Sequence, residues 1–228
     1  EAIEEYQELV HAEPGFLPND PEQRKAVTDG VLDVVIRAYY GWTRALLAEG
    51  RAQAACEAAS GIDTNPRAEG WSDRPAGFLL TLERSKALAA SGHGPKAARR
   101  IYGVINRAKY TQGAPKIEGS TMNRLEAAAC RALSELSELT GGELYAPEIQ
   151  FYVGVGHFLR GQTALAIAAY KGVLTTARTR RERREWIPKT VKEFGALLFR
   201  EERFLESALA FQTAFTEFPE HEATADAE

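Results

Sequence analysis

Between Pro21 and Glu49, apolar side chains return every three or four residues, at Val27, Val31, Val34, Val35, Ala38, Tyr39, Trp42 and Leu46. That is the spacing of one face of an α-helix. Asp20 and Pro21 supply its start: a carboxylate that can accept from the first free backbone N–H groups, then a ring whose fixed φ suits the first turn. Arg51 to Ala59 reads as an alanine-rich return helix ending at Gly61, and Asp63-Thr64-Asn65-Pro66 closes the pair. The pattern repeats downstream. Phe78, Leu79, Leu82 and Ala89 mark an outgoing helix, Ser91 to Pro95 a turn, and Ala98, Tyr102 and Ile105 its return, while Arg67 to Pro75 is a polar excursion in which Trp71 is expected to pack. At the N-terminal end, Ala2 to Ala12 carries Ile3, Tyr6, Leu9 and Val10 on one side. Met122 to Leu139 is helical through Leu125, Ala129, Leu133, Leu136 and Leu139; with the Gly- and Pro-rich stretch before it, it is either half of a further pair or one lone long helix. Runs of strand-forming residues are scarce, so the expected class is all-α.

Several positions recur at fixed offsets. Ala2, Tyr6, Leu9 and Pro14 have the same order and spacing as Ser207, Phe211, Ala214 and Pro219. Tyr102, Leu136 and Tyr170 follow one another at 34 residues, and Phe211 lies 41 after Tyr170, the excess being assigned to Thr175 to Glu185. Gly154 and His157, then a turn at Gly161, precede Ala166, Tyr170 and Val173; Gly195 and Leu198 precede Ser207, Phe211 and Ala214. Glycine suits position 154 if two helices cross there too closely for a side chain. This grammar resembles the tetratricopeptide repeat family in a divergent, irregular form. The resemblance implies a right-handed α-solenoid of about five antiparallel helix pairs over residues 1–219, followed by an acidic tail, 220–228, expected to fray. It also makes Ala2 to Ala12 the second helix of a pair. On that reading Glu1 is not the natural start, and upstream residues or another subunit cover Ile3, Tyr6, Leu9 and Val10.

Composition narrows the function classes. The net charge of −4 argues against a generally basic nucleic-acid binder. No apolar run approaches the roughly 18–20 residues that a membrane span needs. Cys56 and Cys130 are too few and too far apart for a zinc motif or a disulfide framework, and read as small core residues. His11, His93, His157 and His221 show no metal-ligand spacing. Gly154 and Gly156 have dinucleotide-fingerprint spacing, but no strand precedes them. Carboxylate pairs such as Glu135 and Glu138 fall on exposed helix faces. No catalytic residue, metal or cofactor is expected.

The resemblance implies instead a non-catalytic scaffold that binds a peptide or a subunit of a larger complex in a concave groove lined by first helices. The positions it assigns to that groove are Phe151, Tyr152, Val155 and Phe158, then Lys189, Lys192, Phe199 and Arg200. The family's carboxylate clamp also needs asparagines beside its lysines, and none stands at these positions. The sharpest charge feature is the run Arg178, Arg180, Arg181, Arg183 and Arg184, broken by Glu182 and Glu185. It reads as a solvated helix end with its arginines pointing all round and an Arg178–Glu182 pair; the alternative is a contact with nucleic acid or another polyanion.

Overall fold

Asp20 begins the first long helix as its position demands: its carboxylate accepts from the N–H groups of Glu22 and Gln23 at 2.9 Å, with Pro21 in the first turn. The computed structural model describes residues 2–11, 20–110, 119–136 and 146–219. They form α1 (Ala2–His11), α2 (Pro21–Ala48), α3 (Ala52–Gly61), α4 (Pro75–Ala90), α5 (Gly94–Tyr110), α6 (Gly119–Ser134), α7 (Pro147–Leu159), α8 (Thr163–Thr176), α9 (Arg180–Arg200) and α10 (Phe204–Glu217). There is no strand among the described residues. The tail after Pro219, Pro14 and the segments around α6, including Leu139, lie outside them.

The contacts divide the chain into two compact units, Glu1–Ala129 and Cys130–Glu228, where the sequence reading expects one array over 1–219. In the first, α2 packs against α1, α3 and α4, and α4 against α5. Leu32, Val35, Ile36 and Tyr39 of α2 meet Ala59, Ile62, Ala68 and Leu80 in one core cluster, and Leu46 meets Ala55, Ala58 and Ala87 in another. Tyr6 and Ile3 pack onto these clusters, so α2 and α3 contribute cover to the apolar side of α1. The Arg67–Pro75 excursion is wound into short 3-10 turns, and Trp71 packs on the first cluster as expected. In the second unit α7 packs with α8 and α9, and α9 with α10.

Four of these helix pairs share one turn. The residue at positive φ is Gly50, Gly92, Gly161 or Glu202, at 73°, 85°, 70° and 61°. In each case the next N–H reaches back five residues: Arg51 to Leu46, His93 to Leu88, Gln162 to His157 and Arg203 to Leu198, at 2.8–2.9 Å. The positive-φ residue bonds three back at 3.0–3.1 Å. This pairing satisfies carbonyls that a helix end otherwise leaves free. The return helix then starts two residues after the turn residue, at Ala52, Gly94, Thr163 or Phe204. Glu202 is the exception in chemistry alone, a side chain where its three counterparts have none.

The crossings repeat as well. A Cβ built on Gly154 would meet the Tyr170 ring at 2.5 Å, and one on Gly195 the Phe211 ring at 2.9 Å. Gly41 faces the Tyr6 ring in the same way, at 2.5 Å. Each glycine lets an aromatic ring on the neighbouring helix come up against backbone. Ser207 is buried and donates its hydroxyl to the Gly195 carbonyl at 2.8 Å, so the small residue at that crossing keeps its polar atom satisfied.

Gly154→Ala should therefore lower stability by about 1–3 kcal/mol, since Tyr170 is fully buried and has nowhere to retreat. Gly103→Ala, inside α5 with open space around it, should raise it by about 0.5–1 kcal/mol. Thermal or urea unfolding of the two variants checks the opposite signs. Glu202→Gly should raise the melting midpoint, by relieving about 1 kcal/mol of left-handed strain net of the entropy that glycine loses.

Candidate functional site

α7 is apolar nearly all round because it is covered on more than one side. Gly154 admits Tyr170 of α8, and Gly156, about 200° further round the helix, admits the backbone of Cys130–Ser134 in α6, with Ser134 N 2.7 Å from a Cβ placed there. The two glycines are crossing points, consistent with helix packing and not with a phosphate-binding turn. From α6, Ser134 Oγ also accepts from Arg160 at 2.6 Å, just past the end of α7.

The expected groove residues separate into two groups. Phe151, Tyr152 and Val155 are buried. Phe151 lies 5.3 Å from Tyr152, 6.3 Å from Tyr170 and 5.6 Å from Trp186 between ring centroids, and Tyr152 lies 5.9 Å from Trp186. They form the packing between α7, α8 and α9 and do not line an open surface. The cause is Trp186. The arginine turns, read from sequence as a solvated extension, have their arginines exposed; Trp186, the residue after them, lies against Phe151 and Tyr152 of α7 and is itself buried. Lys189 joins the same cluster from outside, its Nζ 4.6 Å from the Trp186 ring centroid. The spacing Trp186, Thr190, Phe194, Leu198 continues the apolar stripe of α9 back into the arginine run, a signal that was present in the sequence.

The second group gathers where α7 and α9 end. The Arg200 guanidinium lies 4.3 Å from the Phe158 ring centroid and donates to the Phe158 carbonyl at 3.5 Å. Phe199, 61% exposed, meets Phe204 edge-on at 5.3 Å, and Phe204 is 57% exposed. Leu205 and Leu209, one turn apart on α10, are 77% and 54% exposed. Thr163 donates to Glu201 at 2.9 Å, tying the start of α8 to the α9–α10 turn. Phe204, Leu205 and Leu209 were not singled out from the sequence, because the repeat pattern assigns binding to first helices and these lie on a second.

Lys192 is half-buried beside Glu193, whose carboxyl is pushed above its ordinary range by burial, with Lys192 opposing. His157 bonds Gln162 through Nδ1 at 2.8 Å, and His93 lies 3.4 Å from Ser91 Oγ. Cys56 is half-buried with its sulfur 3.5 Å from Ser91 Oγ, and Cys130 is buried. Among the described residues no three His, Cys, Asp or Glu side chains converge as a metal ligand set, and no helix is long and apolar enough to cross a membrane. A cleft of about 430 Å³ between α1, α2 and α3 is lined by Ile3, Gln7, Tyr39, Trp42, Arg51 and Glu57.

No protein-family model, curated protein or solved structure matches this chain.

The Glu193 carboxyl holds its proton more tightly in the folded state than in the unfolded chain. Ionising it therefore weakens the fold, a penalty absent below the ordinary carboxylate range and complete above the raised folded value. Glu193→Gln should melt higher than the parent at about pH 7.5 and lose that advantage at about pH 3.5. Melting curves at both pH values read the narrowing gap.

Proposed function

We propose that this chain is a non-catalytic protein-interaction or assembly scaffold of tetratricopeptide-like construction, gripping a peptide or subunit at the face where α7 and α9 end. One observation supports this most: Phe199 and Phe204 stand in solvent as an edge-to-face pair, beside an Arg200 already stacked on Phe158. Exposed aromatics beside a positioned arginine are the side-chain types that dominate interface energies. Leu205 and Leu209 extend the apolar surface along α10, and contiguous exposed apolar surface marks interaction sites in folded proteins. Holding Arg200 in place before binding lowers the entropy that a partner's carboxylate must overcome. The partner segment thus carries bulky apolar side chains next to an acidic one. Of the eight groove residues, Phe158, Phe199 and Arg200 make contact in this reading, while Phe151, Tyr152 and Val155 hold the helices that present them.

Displayed random peptides of about twelve residues, selected on the immobilised chain, test this. The selected sequences should combine Phe, Trp or Leu with Asp or Glu. Binding should weaken by about tenfold or more on Phe199→Ser/Phe204→Ser, a change on exposed positions that leaves the circular dichroism spectrum intact. Peptides that hold the variant as tightly as the parent would show that the partner binds elsewhere.

A further inference from the structure

We propose that the N-terminal end of α9 is a second binding surface, which takes an Asp- or Glu-rich protein segment through Arg180, Arg181 and Arg184. The sequence reading points the five arginines of this run all round the helix, with an Arg178–Glu182 pair. Arg180, Arg181 and Arg184 nonetheless share one side of it. At 3.6 residues per turn, positions 180, 181 and 184 fall within about 100° of arc, and the three side chains line one open hollow of about 680 Å³ with Glu185 at its edge. Glu182 points away from this hollow by the same geometry, and its carboxylate is engaged elsewhere. It accepts from the backbone N–H groups of Thr179 at 2.9 Å and Arg178 at 3.2 Å, while Thr179 Oγ1 accepts from Glu182 N at 3.2 Å, a closed capping box. Those bonds hold the Glu182 carboxyl below its ordinary range. Among the described residues no carboxylate forms an ion pair with Arg180, Arg181, Arg183 or Arg184. The capping box thus engages the Glu182 carboxylate and leaves, among the described residues, three guanidinium groups with Glu185 alone beside them, on a chain whose net charge is −4.

The surface fits a protein segment better than a nucleic acid. Arg180 and Arg184 are about 6 Å apart along the helix axis, close to the roughly 6.6 Å between alternate residues of an extended chain, so successive outward carboxylates meet successive arginines. Arginine forks pair with carboxylates in two parallel bonds. Nucleic acid held by charge alone binds weakly near physiological salt, and three guanidinium groups neutralise few phosphates. Single strands also need an exposed aromatic platform, and the aromatic side chains nearest in sequence and packing, Trp186 and Tyr152, are buried. This surface is separate from the Phe199–Phe204 face, which lies near the other end of α9.

Fluorescence anisotropy of labelled decaglutamate, with decaglutamine and a decathymidylate strand as comparison probes, tests the assignment on the purified chain. Decaglutamate should bind, should weaken as salt is raised, and should be held more tightly than either comparison probe. Arg180→Gln/Arg181→Gln/Arg184→Gln should reduce its affinity about tenfold, whereas Arg37→Gln/Arg44→Gln/Lys96→Gln, three exposed cations of the first unit, should change it less than about twofold. Glu185→Gln, which removes the one carboxylate at the hollow, should tighten binding about two- to threefold. Phe199→Ser/Phe204→Ser should leave decaglutamate binding unchanged, so the two surfaces stand or fall separately. The assignment is overturned if decaglutamate does not bind, if the triple arginine variant retains its affinity, or if the decathymidylate strand binds more tightly than decaglutamate.

Discussion

The architecture depends on glycines that let an aromatic ring approach the backbone at helix crossings. A ring set against a bare Cα lets two helices approach closely enough for the ring to be buried, as Tyr170 is against Gly154. The pair Gly195 and Phe211 repeats that contact with the same 16-residue separation between glycine and ring. Because both partners are rigid, the crossing fixes how the return helix lies on the outgoing one, and the turn only has to close the gap. The shared turn does this with one left-handed residue and two backbone bonds, in four hairpins whose other residues differ widely.

This arrangement gives α9 two ends with different surroundings. Its C-terminal half is held by the Gly195 crossing and leads to the surface of Phe199, Arg200 and Phe204. Its N-terminal turns reach past the shorter α10, and Trp186 ties them down onto α7. Pro188 lies between, buried inside the helix where it withdraws one backbone N–H from the ladder. The Thr190 hydroxyl, buried in the next turn, donates to the Trp186 carbonyl at 2.7 Å. The arginine turns are thus exposed but run straight into an anchored aromatic side chain, Trp186.

Much of the fold was legible because its signals are local. Asp20-Pro21, Gly50, Gly61, Gly92 and Gly161 mark starts, stops and turns through backbone preferences that act within a few residues. Gly154 and Tyr170 were legible as a crossing because two residue types of unusual size recur at a fixed offset. The candidate site was read less well, for a physical reason. Whether Phe151 and Tyr152 face a groove or a neighbour depends on the length of the next helix, and a run of arginines hides the Trp186 that extends it. Charge composition likewise could not show that Glu182 is occupied by its own backbone; only the Thr179 capping geometry does. The exposed side chains of α10 were missed because a repeat pattern describes what helices share, and α10 differs in what it leaves uncovered.

The central claim is that glycine and ring are matched partners that set each crossing. A double-mutant cycle of Gly154→Ala and Tyr170→Leu, measured by urea unfolding, tests it most directly. If the ring is what the added methyl meets, trimming it relieves the clash, and the double variant should be more stable than the sum of the single losses by about 1 kcal/mol or more. Additive losses within about 0.3 kcal/mol would mean that the two side chains do not constrain each other, and would contradict the account.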